Sequence, residues 1–169
     1  MFRTCVIIGI IIFIAEIFIF IFNKHRQTFS PAIIRYLLLY LVLPSVLNLI
    51  FILGAYFMLK TEKTSEKTKN HTVAILFFLI CACVQCFHHT FPPILCVLCI
   101  AVFMTIIFAD LKLTRLVFGL SYISLILAFQ IASFESDRDV KAIFLDCIVA
   151  GIMIFCSYLG AKVLIRYTN

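Results

Sequence analysis

Charged side chains are scarce in this chain, and those present are gathered into short gaps between long apolar runs. Only 13% of the 169 residues are charged, whereas 64% are hydrophobic. No stretch is polar enough to surround a soluble core. This scarcity excludes a soluble domain and, with it, most classes of enzyme and nucleic-acid-binding protein.

Glycine and catalytic motifs are equally sparse. Five scattered glycines form no phosphate-binding loop, and the sequence has neither an H-E-x-x-H zinc motif nor a G-x-S-x-G nucleophile turn. We therefore predict that this chain is not an enzyme and needs no cofactor. Its net charge of +6 is typical of lysines and arginines beside anionic lipid, so no nucleic-acid partner is needed to explain it.

Six apolar runs predict an all-α, polytopic membrane helix bundle that forms one domain over residues 1–169. The runs are continuous rather than alternating, and backbone in hydrocarbon must satisfy its own hydrogen bonds, so helices are favoured over barrel strands. A helix of about 18 to 20 residues crosses roughly 30 Å of hydrocarbon. The third and fourth runs, of 16 residues each, are short by that measure. The predicted spans are Cys5–Phe22, Tyr36–Leu59, Thr72–Phe87, Ile94–Ala109, Leu116–Phe134 and Ala142–Ile165.

Lysine and arginine counts predict the orientation of the bundle. Nine of these residues flank one membrane face and five flank the other. Because positive residues are enriched on the cytoplasmic side, we predict a multi-pass protein of the cell membrane with both termini in the cytoplasm.

The acidic and glutamine side chains within the apolar runs, and the two histidines after the third run, all lie in the half of the membrane that this orientation places outside. Such residues are costly in hydrocarbon and invite a functional interpretation. Asp146 shares a helix face with small residues, which predicts that it points into the bundle. It would there make either a helix-to-helix hydrogen bond or a ligand or proton site. The predicted outer polar cup for a ligand or ion comprises Glu16, Gln85, His88, His89, Gln130 and Asp146.

Pro44 lies within the second run and frees the carbonyl of Tyr40, which predicts a fixed kink. Ser45 and Asn48 are placed to help satisfy the exposed backbone.

Five of the eight cysteines lie between Cys81 and Cys99, on either side of a short turn. Thiolates and imidazoles at this spacing could bind copper(I) or zinc, and cysteines paired across the turn could act as a redox switch. Against both stands simple packing, because a neutral cysteine behaves as a small hydrophobe. The candidate metal ligands are Cys83, Cys86, His89, Cys96 and Cys99.

Four segments carry a family resemblance: Arg35–Ser45 followed by Asn48, His88–Pro92, Phe108–Arg115 and Ser157–Leu159. They resemble the multi-pass membrane input region at the N-terminus of some bacterial diguanylate cyclases. The resemblance implies a cytoplasmic C-terminus that feeds a nucleotide-cyclising domain. No G-G-D-E-F segment is present up to Asn169, so the resemblance extends only to the sensing half.

Two main hypotheses follow for the function. The first is a sensory input module in which the outer polar cup binds a ligand or ion and the last helix transmits the change inward. The second is a small transporter or ion pathway, which would need polar residues through the inner half, where few occur beyond Thr105, Ser121 and Ser124. A metal-handling or thiol-redox membrane protein is a minor third hypothesis. The expected partners are the lipid bilayer and either a second copy or a cytoplasmic signalling protein.

Overall fold

The computed structural model describes residues 1–25, 37–61, 64–88, 92–135 and 139–168, and within these ranges the chain forms helices and no strands. The prediction of an all-α bundle is thereby confirmed. The predicted site residue His89 lies outside the described residues. The described ranges contain six helical elements: α1 (Phe2–His25), α2 (Leu37–Lys60), α3 (Glu66–Phe87), α4 (Pro92–Phe108), α5 (Leu111–Glu135) and α6 (Val140–Thr168).

Large apolar side chains cover the outside of the bundle. Phe57 on α2 and Ile152 on α6 are 65% and 57% exposed, and many similar side chains surround them. Such a surface suits contact with lipid rather than water. Among the described residues, four helices are long and apolar enough to cross a membrane, and α4 is a shorter apolar helix; the four are Leu37–Lys60, Glu66–Phe87, Leu111–Phe134 and Val140–Thr168.

Helix caps lengthen the elements beyond the apolar runs. The hydroxyl of Ser65 accepts a hydrogen bond from the amide of Thr68 at 3.2 Å, so α3 begins at Glu66 and contains 22 residues. The helix that contains the predicted third span, Thr72–Phe87, is therefore longer than its apolar run. Polar caps satisfy the first free amides of a helix, which hydropathy alone does not reveal.

The fourth run is short in residues but is not a regular α-helix. Its first and last turns, Pro92–Cys96 and Thr105–Phe108, are 3₁₀-helical and flank an α-helical middle, Val97–Met104. A 3₁₀-helix rises about 2.0 Å per residue, against about 1.5 Å for an α-helix, so α4 extends about 30 Å. The helix ends at Phe108, and the following residue, Ala109, has a φ of 48° in the left-handed region.

The central helix of the bundle is α3, which packs against α2, α4 and α5. The last helix, α6, packs on α4 and α5, whereas α1 contacts α2 and α3 at the edge of the bundle. The core between these helices is closed by fully buried aliphatic side chains, including Ile80, Leu98, Val102, Val117 and Ile154.

Pro44 makes α2 irregular near its start. A π-helical turn, Leu37–Val42, precedes the α-helical part, Leu43–Lys60. The hydroxyl of Ser45 donates to the Leu41 carbonyl at 2.6 Å, and the thiol of Cys83 donates to the Pro44 carbonyl at 3.7 Å. Side chains inside the bundle thus hold the irregular backbone, as membrane depth requires. Ser45 thus helps to satisfy backbone near Pro44, as predicted, but at the Leu41 carbonyl rather than at the Tyr40 carbonyl that Pro44 was expected to free.

Candidate functional site

Glu16 is a buried acid in the middle of an apolar helix. Its residue is 5% exposed, and its two carboxylate oxygens contact different helices. His88 Nε2 donates to Oε1 at 3.2 Å, and Ser45 Oγ donates to Oε2 at 3.1 Å. A buried carboxylate is tolerated only where it is paired and hydrogen-bonded. These contacts join α1, α2 and the end of α3 in one polar cluster.

Each member of this cluster is positioned by a specific local feature. The irregular turn before Pro44 precedes Ser45 and leaves its hydroxyl facing Glu16. His88 follows the last residue of α3, where its own amide still donates to the Val84 carbonyl at 3.0 Å. The imidazole is therefore fixed at the helix end rather than on a free loop.

Asn48 lies one helical turn beyond Ser45 on α2. The residue is 6% exposed, and its Oδ1 atom has no hydrogen-bond partner among the described residues. Leaving a buried acceptor unpaired costs about 1 to 3 kcal/mol, so the presence of this atom requires an explanation.

A groove between α1 and α2 brings these polar groups together. Its volume is about 490 Å³, and Glu16, Ser45 and Asn48 are its polar lining residues. We call it the Glu16 groove. Its remaining walls are apolar and comprise Val6, Gly9, Ile10, Phe13, Val46, Leu49 and Ile52.

Gln85 is fully buried one turn before His88 but belongs to a separate cluster. Its Nε2 donates to the Leu95 carbonyl at 3.1 Å, and Ser124 Oγ donates to its Oε1 at 2.9 Å. The side chain therefore links α3 to the first turn of α4 and to α5. Both polar ends of this amide have a protein partner, which is the pattern of a structural bridge.

The structure does not bring the other two predicted cup residues into the Glu16 groove. Gln130 lies exposed on α5, and Asp146 lies half-buried on α6. Neither is among the described residues that line that groove. The small-residue face of α6 does turn inward, with Ala150, Ser157 and Ala161 buried.

The predicted cysteine site is distributed through the packing. Cys83 is buried against α2, whereas Cys86, Cys96 and Cys99 are half-buried. Among the described residues, no three histidine, cysteine or acidic side chains gather closely enough to hold a metal ion. The set that includes His89 stays a prediction, because that residue lies outside the described ranges.

A second ionic cluster lies at the opposite end of α3, and sequence reasoning missed it. Asp110 Oδ1 accepts from the amides of Lys112 and Leu113 at the start of α5, and Oδ2 lies 3.8 Å from His71 Nε2. Burial acts to raise the pKa of Asp110, but the two amide donors and then the charge of Lys67 outweigh it and hold the pKa below its ordinary value. The signal available in the sequence was an aspartate shortly before an apolar run, which is typical of a helix cap.

No family model, curated protein or solved structure matches this chain.

Proposed function

We propose that this chain is the signal-input module of a bacterial cell membrane protein, with six spans and both termini in the cytoplasm. The cluster of Glu16, Ser45 and His88 is its receiving site. The observation that carries the proposal is the buried Glu16 carboxylate, shared between two other helices beside an open groove. An ionisable group at that depth is expensive, and a binding role explains its presence.

The hydrogen bonds around the groove suggest how occupancy changes the bundle. A ligand that contacts Glu16 competes with Ser45 and His88 for the carboxylate oxygens. The position of His88 at the end of α3 then changes relative to α1 and α2. Three residues earlier, Gln85 joins α3 to α4 and α5, both of which pack on α6. The last helix carries the change toward the C-terminus and a cytoplasmic signalling partner.

The polar side chains elsewhere in the bundle favour a receiver over a transport pathway. Thr105 donates to the Val102 carbonyl, and Ser121 donates to the Val117 carbonyl, both within their own helices. Thr114 likewise donates to the Asp110 carbonyl. These hydroxyls are engaged by local backbone, whereas a transport pathway needs polar groups free to contact a moving ion.

The proposal is tested by hydrogen exchange in the final turn of α6, residues 165–168, with the protein in lipid nanodiscs. We expect Glu16→Gln and His88→Gln to change the exchange rate of these amides by about fivefold or more, as for a typical coupling between distant sites. Gln130→Met, an exposed polar residue on α5, is the matched control and should leave the rate unchanged. Wild-type exchange in both Glu16→Gln and His88→Gln, in protein that stays monodisperse, would refute the proposed function.

A further inference from the structure

The polar end of the Glu16 groove has more hydrogen-bond acceptors than donors. Ser45 carries one hydroxyl hydrogen, and two acceptors lie within its reach: the Leu41 carbonyl at 2.6 Å and Glu16 Oε2 at 3.1 Å. The closer contact is with the carbonyl, which leaves Glu16 Oε2 weakly bonded. Asn48 Oδ1 adds a second acceptor with no partner among the described residues. A ligand that supplies several hydrogen-bond donors would satisfy both atoms.

The charge of the side chains that line the groove determines which sign of ligand charge the groove favours. The one ionisable side chain among the described lining residues is Glu16, and no lysine or arginine faces the groove there. A cation is therefore complementary to this site, and hydrogen bonds from a charged donor to a carboxylate are the strong ones. A phosphate group on the ligand would be repelled by the carboxylate, and the nearest basic side chain, His88, is already engaged at Glu16 Oε1 and does not line the groove.

The apolar walls along the rest of the groove favour a ligand with an apolar chain. Its α1 wall descends from Glu16 to Val6 through Phe13, Ile10 and Gly9, a distance of roughly 15 Å along the helix axis. The volume of about 490 Å³ falls in the range of small-molecule sites. The polar groups lie at one end and aliphatic walls fill the remainder, which matches an amphiphile.

We infer that the Glu16 groove binds a single-chain amphiphile with a primary ammonium head and no phosphate. The ammonium donates to Glu16 Oε2 and Asn48 Oδ1, and the alkyl chain lies along α1 toward Val6. A primary ammonium is favoured over a quaternary one because both acceptors need N–H donors, which a trimethylated head lacks. This inference names the ligand class of the proposed receiving site and so rests on that proposed function.

Direct binding of dodecylammonium tests the inference. Radiolabelled dodecylammonium is titrated onto the full chain in nanodiscs of a zwitterionic phosphocholine lipid, and binding to empty nanodiscs is subtracted. We expect saturation at one ligand per chain. Unlabelled dodecyltrimethylammonium and dodecanol should compete about tenfold more weakly than dodecylammonium, because the first lacks N–H donors and the second lacks the charge. A phosphoethanolamine lipid should compete weakly as well, because of its phosphate.

Substitutions in the groove test whether dodecylammonium binds there. Glu16→Gln should weaken dodecylammonium binding by about tenfold or more, and Asn48→Leu should weaken it by a smaller factor. Asp110→Asn removes an acid at the far end of the bundle, keeps a good helix cap, and should bind like the wild type. Equal competition by dodecanol and dodecylammonium on the wild type would overturn the inference, independently of how any variant folds. If the phosphoethanolamine lipid competed as strongly as unlabelled dodecylammonium, the ligand would be a membrane lipid rather than a free amine. That result would also overturn the inference.

The binding and exchange experiments separate the two proposals. If Glu16→Gln altered hydrogen exchange in α6 but the wild type did not bind dodecylammonium, the signalling function would stand and this ligand class would be excluded. If dodecylammonium bound at Glu16 but neither substitution changed hydrogen exchange in α6, the ligand site would stand and the signalling function would be excluded.

Discussion

Two buried polar clusters lie one helical turn apart at the same end of α3, and they differ in how their hydrogen bonds are completed. Gln85 is fully buried, and each end of its amide has a protein partner. At the Glu16 groove, the carboxylate shares a single Ser45 hydrogen with a backbone carbonyl. Asn48 lines the same groove, and its buried Oδ1 atom has no partner within the described part of the chain.

The difference separates a structural polar group from a candidate binding group. A buried network whose members are all satisfied stabilises one arrangement of the helices. A buried acceptor without a partner costs free energy in the empty site, and a ligand that supplies a donor recovers it. Burial alone therefore does not distinguish the two clusters, whereas the count of donors and acceptors does.

The largest expected effect on stability comes from Gln85→Met, which keeps the side-chain size and removes both polar ends. The Leu95 carbonyl and the Ser124 hydroxyl would lose their partner inside the bundle. We expect the free energy of unfolding to fall by about 2 kcal/mol, because each buried group left unpaired carries a penalty. Reversible unfolding in mixed detergent micelles measures this change. Wild-type stability would show that Gln85 is not a structural bridge.

Asn48→Leu is the matched substitution in the other cluster and should act in the opposite direction. It replaces an unpaired acceptor with an apolar side chain of similar shape, so we expect the free energy of unfolding to rise by about 1 kcal/mol. The same micelle experiment measures it, with Gln85→Met as the comparison. A loss of stability like that of Gln85→Met would mean that Asn48 Oδ1 has a partner in the membrane, and the contrast between the clusters would disappear.

The smallest effect is expected at Asp110, a partly exposed acid at the opposite end of the bundle. Its pKa is held below the ordinary value of 3.8 in the folded protein. The stability that this group contributes is therefore present above pH 3.8 and is lost as the pH falls through the lowered pKa. Unfolding midpoints measured across this acid range should decline for the wild type and stay flatter for Asp110→Asn. Identical pH profiles would show that Asp110 contributes no pH-dependent stability.

Much of the fold follows from hydropathy, because apolar helices in a membrane must satisfy their backbone locally. The predicted second and third spans end within one residue of α2 and α3. The helix α3 begins six residues before the predicted span, because a polar cap sets the start of the helix whereas the apolar run set the predicted span. The mixed 3₁₀ and α geometry of α4 was not predicted, since periodicity does not distinguish these turns in a uniformly apolar run.

The candidate site was predictable only in part. Glu16 and His88 stood out because ionisable residues are expensive in apolar surroundings. Ser45 and Asn48 were assigned to the backbone near Pro44, yet both line the groove beside Glu16. Gln85 was grouped with the cup on the basis of depth alone, and the structure places it in a bridge to α4 and α5. Depth along a helix can be counted from sequence, but the helix that each face meets cannot.

By itself, the sequence determined the apolar character of the helices, their approximate lengths and the few polar residues that interrupt them, because these are local properties of the chain. The tertiary structure alone decided which polar groups meet. Glu16 and His88 are 72 residues apart, and their 3.2 Å contact exists only because α1 and α3 pack side by side. Hydrogen-bond pairing depends on distances between elements, so only the packed bundle distinguishes the satisfied Gln85 cluster from the donor-poor Glu16 groove.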